Sequence, residues 1–283
     1  MTFFQLFAFL LLFQSGFSQV EKKALLWEIQ DQQGKTRSYL FGTIHVMDEN
    51  LFFLPKKLEK TLLKSKTLCM EVADLSGANL SMDKLMLKDK TINDIFSKEQ
   101  LDTIHDWASR NLLMNQNQFD ENFGQAKPFL LMQFVLQQSL PQKTKSYEIE
   151  FSSLAKINKQ EIKGLETIDF QLSIFDNMPL KEQANMVMES LRDEKNAAKV
   201  FDDMQQIYLS QDLDSLFNFS KQESTLDNRD LLENRNIDWI PKMEAMMSNQ
   251  IVFFAVGAAH LAGPEGVIEL LIKKGYRLIP IKL

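Results

Sequence analysis

The stretch VGAAHLAGPEGVIELLIKKGYRLIPI, Val256 to Ile281, decides the fold. Ile251 to Val256 ahead of it is apolar and rich enough in β-formers for a buried strand, which ends in Gly257-Ala258-Ala259-His260. Pro264 suits the first position of a helix, Val267, Leu270, Leu271 and Lys274 recur at helical spacing, and Gly275 stops it. Tyr276 to Ile281 returns as a strand. The unit reads as βαβ and places His260 at the carboxyl edge of a sheet, where open α/β folds hold their ligands. The helix opened by Pro264 would start three to four residues past His260 and turn its positive end toward the site.

Working outward, Leu25, Trp27 and Ile29 alternate with polar residues, Asp31-Gln32-Gln33-Gly34 supplies a turn, and Ser38 to Ile44 resumes as a strand. That second strand runs into Gly42-Thr43-Ile44-His45, a second Gly-x-x-His. Pro55 opens a helix whose Leu58, Leu62 and Leu63 share a face, and the strand Thr67 to Val72 follows. Its Glu71 is a carboxylate inside an apolar strand, a costly placement without a cation, a metal or hydrogen bonds, and therefore a site candidate. Residues 75 to 96 read as loop with short helices. Ser97-Lys98-Glu99-Gln100 forms a capping box, and His105 falls on the packed Leu101/Ile104/Ala108 face, more in keeping with a structural role than with a ligand. Further helices are expected at Phe129 to Leu140 and about Glu148 to Asn158, then a strand Glu161 to Leu165 ending in the carboxylate Glu166. From Thr167 to about Met247 the pattern is helical, punctuated by Pro179 and Pro241.

The expected architecture is α/β: a single domain with a central mixed sheet, formed by N- and C-terminal strands, and a large helical middle insertion. Across 283 residues, 45% hydrophobic and 25% charged, no low-complexity linker divides the chain. A net charge of −6 and the lack of a basic block argue against a nucleic-acid partner. Cys69 is the only cysteine, which excludes an intrachain disulfide and a thiolate metal cluster; its apolar surroundings mark it as a buried structural thiol. Met1 to Ser18 reads as a secretory signal peptide cut before Gln19, despite a basic-poor start, with a retained anchor as the alternative. No later run is long enough to span a bilayer, so the mature chain is expected to be soluble and exported, periplasmic or secreted.

The chemistry rests on His45, His260 and Glu71, with Glu166 next. Two imidazoles and one or two carboxylates suit a catalytic divalent metal, which lowers the pKa of its water from about 15.7 toward about 7. The competing reading is that each histidine merely bonds a loop carbonyl. Glu166 could cap the helix beginning near Thr167. Arg235 could clamp a substrate carboxylate or Glu166, although a surface ion pair is the preferred reading.

Leu40-Phe41-Gly42-Thr43-Ile44-His45, Glu71, Gly164-Leu165-Glu166-Thr167 with Gln171, Asn234-Arg235-Asn236 with Trp239, and Val256 to Gly275 together resemble the TraB/GumN family, which includes the TIKI metalloproteases and pheromone-shutdown proteins. The similarity runs in order from about Leu25 to Ile281. It implies an α/β domain of the ChaN-like and erythromycin-esterase-like kind and, in the TIKI branch, metal-dependent peptide cleavage that requires two Gly-x-x-His histidines and a glutamate, here matched by His45, His260 and Glu71. Arg235, Asn236 and Glu166 match further family positions. One departure is Ser146-Tyr147-Glu148 where relatives carry Gly-x-Asp, a lost or substituted polar contact. The expected function is an exported metal-dependent hydrolase of the metallopeptidase kind, with a divalent ion (manganese, cobalt or zinc) and a peptide or small-molecule substrate. The alternative is a non-catalytic protein that sequesters a peptide or haem in the same crevice.

Overall fold

The computed structural model describes residues 23–74, 81–223 and 229–283. The expected signal segment lies outside the described residues, as does part of the expected loop at 75–96.

Six strands form one mixed sheet: β1 (Leu26–Gln30), β2 (Thr36–Thr43), β4 (Thr67–Val72), β6 (Glu161–Glu166), β7 (Val252–Gly257) and β8 (Arg277–Ile281), in the order β6-β4-β7-β2-β1-β8. A separate two-stranded ribbon joins β3 (Met47–Asp48) to β5 (Thr144–Lys145). Within the main sheet β6, β4, β7 and β2 run parallel, while β1 is antiparallel to both β2 and β8. Strands covered on both faces read as continuous apolar runs, and β4 and β7 are of this kind, buried through all but their last residue. Four strands come from the chain ends and two, β4 and β6, from nearer the middle.

Eleven α-helices are described. The expected helices appear as α1 (Lys56–Leu63), α2 (Lys98–Asn111), α4 (Pro128–Gln138) and α5 (Tyr147–Ile157), with α3 (Gln116–Phe123) added between the second and third. The capping box at Ser97 and Gln100 is formed. The helical stretch after Thr167 divides into α6 (Ile168–Asp176), α7 (Leu180–Arg192), α8 (Glu194–Leu209), α9 (Leu213–Glu223) and α10 (Asn234–Met247). The sheet core gathers Trp27, Phe41, Phe253, Phe254, Tyr147 and Trp239, all fully buried. A second cluster around Trp107, Phe119, Leu131 and Val187 holds α2, α3, α4 and α7 together.

Several local expectations need correcting. The β7-to-β8 unit is a parallel crossover through α11 (Val267–Lys273), but β8 lands beyond β2 and β1, because the opening hairpin occupies the places beside β7. The helix α11 begins after an extended Gly266, not at Pro264. A seven-residue helix that starts seven residues past His260 leaves no basis for a dipole acting on the site. Leu63 faces outward, unlike Leu58 and Leu62. Pro241 sits inside α10, where loss of one amide donor does not end a helix anchored by buried Trp239, Ile240 and Met243.

Candidate functional site

Parallel pairing brings the chemistry to one edge. In the β2/β7 register Gly42 faces Val256 and Thr43 faces Gly257, so the two Gly-x-x-His turns leave the sheet side by side. On the other flank of β7, Met70 pairs with Ala255, and further out Val72 pairs with Glu166. Hence Glu71 and Glu166 reach the carboxyl edge on which the histidine turns open, the place where such sheets bind ligands. Gly42 is required for the closeness of the turns: a Cβ there would stand 3.0 Å from the Cα of Ala258. Gly257 keeps the middle clear, since its Cβ would lie 3.3 Å from Glu71 Oε1 and 3.8 Å from His45 Nε2.

Each imidazole is held by its Nδ1. His45 Nδ1 is 3.1 Å from Glu148 Oε1, an oxygen that also accepts from the Thr43 hydroxyl at 2.6 Å; Ser146 donates to the other Glu148 oxygen at 2.7 Å. His260 Nδ1 is 2.6 Å from Asn236 Oδ1. The Asn236 amide nitrogen donates to the carbonyls of His260 and Glu265, which orients its oxygen toward the ring. Each Nδ1 therefore donates its proton to the oxygen beside it, and each Nε2 points the other way. The two Nε2 atoms lie 4.0 and 3.8 Å from the same oxygen, Glu71 Oε1.

Glu71 is itself fixed on both oxygens. Oε1 accepts the Gly257 N–H at 2.8 Å, and Oε2 accepts from Arg235 Nη2 at 2.5 Å and Gln171 at 3.2 Å. Arg235 is shared, its Nη2 and Nε also donating to Glu166, which accepts in addition from Gln171 at 2.8 Å and from Trp239 Nε1 at 3.0 Å. The Arg235 guanidinium lies over Trp239, whose ring packs 4.4 Å from that of His260. The preferred reading of Arg235 as a surface ion pair is thus wrong: the residue is buried between two buried carboxylates. Glu166 does not cap α6, a role taken by the Thr167 side chain. His105 lies apart, bonded to Asp120 at 2.8 Å.

Electrostatics separate the histidines. Burial works against charge on His45, but the Glu148 hydrogen bond and the Glu71 and Glu148 charges outweigh it and raise its pKa to about 9. Because 66% of the His45 side chain is exposed, solvent screening weakens that hold. Burial drives His260 down to about 3, so its ring is neutral. Burial would raise Glu71; its charged neighbours and the Gly257 N–H instead bring it down to about 2. His260 is foremost among those neighbours only when charged. At neutral pH the work falls to His45, Arg235 and Gly257. Cys69 is buried as expected, its thiol pushed up to about 12.

Two imidazoles with bonded Nδ1 atoms and with Nε2 atoms facing one carboxylate oxygen form a donor set of the type that suits a divalent ion once His45 gives up its second proton, and Glu148 and Asn236 take the places of the outer partners that orient such ligands. Donors at about 2.1 Å on a tetrahedral ion stand about 3.4 Å apart, so the observed separations are a few tenths of an ångström wide. Among the described residues no group of three or more His, Cys, Asp or Glu is closed enough to hold a metal as it stands. The donor chemistry fits; the set needs a small inward shift.

The residue that sequence reasoning left out of the site is Glu148. It receives Thr43, His45 and Ser146, so the position expected to carry a lost or substituted polar contact makes three. Its signal was the one that exposed Glu71: a carboxylate on the buried face of a helix, in line with Ser152 and Ala155.

Fold and site together define a mixed α/β domain with a histidine–carboxylate crevice at its sheet edge. The model of the TraB/PrgY/gumN family matches residues 25–280, and the chain belongs to that family. It is 26% identical over 246 residues to the uncharacterized protein YbaP of Shigella flexneri, covering 84% of this chain and 89% of that protein. Identity to the uncharacterized protein YbaP of Escherichia coli (strain K12) is the same over the same shares. No solved structure matches this chain.

Proposed function

We propose that this protein is an exported, metal-dependent hydrolase acting on peptides. The observation that carries the reading is the pair of histidine Nε2 atoms directed at Glu71 Oε1 while both Nδ1 atoms are taken by oxygen acceptors. His45 and His260 would hold the ion, with Glu71 as third donor or as the base that takes a proton from the attacking water. Manganese, cobalt and zinc all accept such nitrogen and oxygen donors. When bound, a divalent ion acts as a Lewis acid that polarises the scissile carbonyl and makes water acidic near neutral pH.

The chain's own residues prepare that chemistry. Arg235 and Gln171 occupy Glu71 Oε2, which leaves only Oε1 directed into the crevice and keeps the group ionised. Glu166 and Trp239 brace Arg235, so their role is positioning. His45 is open to solvent and can receive a substrate, whereas His260 is buried and held by Asn236.

Metal content and peptide cleavage by purified protein test the reading. Wild type is expected to retain a divalent ion and to lose activity with chelator, and His260→Ala to lose both ion and hydrolysis. Full hydrolysis by His260→Ala would overturn it. Unchanged ligand affinity without turnover in wild type, surviving Glu71→Gln, would favour a sequestering protein instead. Export is tested separately by locating the chain and sequencing its mature N-terminus, expected at Gln19.

A further inference from the structure

A cavity of about 560 Å³ opens directly off His45, Gly257 and His260. That volume lies in the range of pockets that engulf a small ligand. Its walls extend away from the histidines and are apolar: Ile44 after the first glycine turn, Phe201 and Met204 on α8, Leu216 and Phe219 on α9, and Leu232 just before α10. The polar groups among the lining residues are largely committed. The Thr43 hydroxyl donates to Glu148, the Tyr208 hydroxyl donates to the Gly42 carbonyl, and Arg235 is held by Glu71 and Glu166. Among the described residues no lysine lines the space, and the one carboxylate that does, Glu223, is exposed. A charged substrate group would lose water against these apolar walls, away from the charges at the rim, while an apolar group would gain contact along its whole length.

We infer that the cavity beside the two histidines is a specificity pocket for a large, uncharged apolar side chain of a peptide, next to the bond that is cleaved. The inference rests on the hydrolase reading for the word cleaved, but not for the binding preference. Phe219 and Met204, neither fully buried, are the wall positions where substitution changes the pocket with least harm to the core.

The test uses an internally quenched peptide series that differs at one position, Phe, Leu, Ala, Lys or Asp, with metal-loaded mature protein. The Phe and Leu peptides are expected to exceed Lys and Asp by about 100-fold in kcat/KM, the discrimination that burying one large apolar side chain supplies. In Phe219→Asp the Phe-to-Lys ratio should fall toward one, with Met204→Gln as the second variant should Phe219→Asp fail to fold. Affinity of wild type and variant for the Phe and Lys peptides is measured in parallel with chelator present. Wall-dependent binding of the Phe peptide without cleavage would overturn the hydrolase and leave the pocket assignment standing. Cleavage indifferent to the varied side chain would overturn the pocket and leave the hydrolase. Absence of both binding and cleavage of the Phe peptide would also overturn the pocket.

Discussion

At the scale of single residues the site depends on one cation serving two carboxylates. Glu71 and Glu166 are both withdrawn from water, and each has a direct hydrogen bond from Arg235. Removing one partner of a buried ion pair costs about 3–5 kcal/mol because it leaves charge unpaired. Arg235→Met should therefore destabilise the fold by about that amount in denaturant unfolding. A change below about 0.5 kcal/mol, the scale of ordinary surface substitutions, would show that the cluster is not a structural unit. Glu148 illustrates the same economy in a milder form: one carboxylate receives Thr43, His45 and Ser146, and its burial is tolerated because all three bonds are made.

At the scale of elements the decisive contact is between β2 and β7. Their parallel register sets two glycine turns side by side, and Gly42 has no room for a side chain against the Ala258 backbone. Gly42→Ala is expected to cost about 1–3 kcal/mol through overpacking, since the obstructing atom is main chain and cannot rotate away. Its second effect, parting the strand ends that carry His45 and His260, would appear as weaker metal retention at temperatures where the variant remains folded. Wild-type stability in Gly42→Ala would mean that the turns are looser than the described packing.

For the molecule as a whole, two buried groups and one exposed imidazole couple stability to pH. The folded state holds Glu71 at about 2 against 4.5 for the free side chain, so its contribution is present above pH 4.5 and is lost as pH falls toward 2. His260 lies at about 3 against 6.5, so the unfolded chain takes up a proton first and stability declines from pH 6.5 downward. His45, raised to about 9, acts in the other direction: its contribution is complete below pH 6.5 and fades as pH rises to 9, weakly because the ring faces solvent. Thermal midpoints measured from pH 9 to pH 3 should peak near neutrality and fall more steeply on the acid side. His260→Gln should flatten the portion between pH 6.5 and 4.5; an unchanged acid limb in that variant would exclude His260 as its source.

Local pattern sufficed for most of the elements, though not for α3 or the β3–β5 ribbon. The opening hairpin, the strands at 67–72 and 161–166, the capping box at Ser97 and the helical run after Thr167 follow from alternation, caps and apolar spacing, which act over a few residues. The repeated Gly-x-x-His and the carboxylate in an apolar strand marked His45, His260 and Glu71 for the same reason: an oddity within one element is visible without its neighbours. Local pattern could not place β8 three strands from β7, bury Arg235 between Glu71 and Glu166, or attach Glu148 to His45. Those depend on which strand lies beside which and on what each buried charge meets. A carboxylate's cost is written in its own element, but the partner that repays it comes from far along the chain, here 164 residues away in the pairing of Arg235 with Glu71. Sequence alone determined most of the elements and the identity of the chemically exposed residues; only the tertiary structure decided their partners, because burial makes charge pairing compulsory and topology selects the pair.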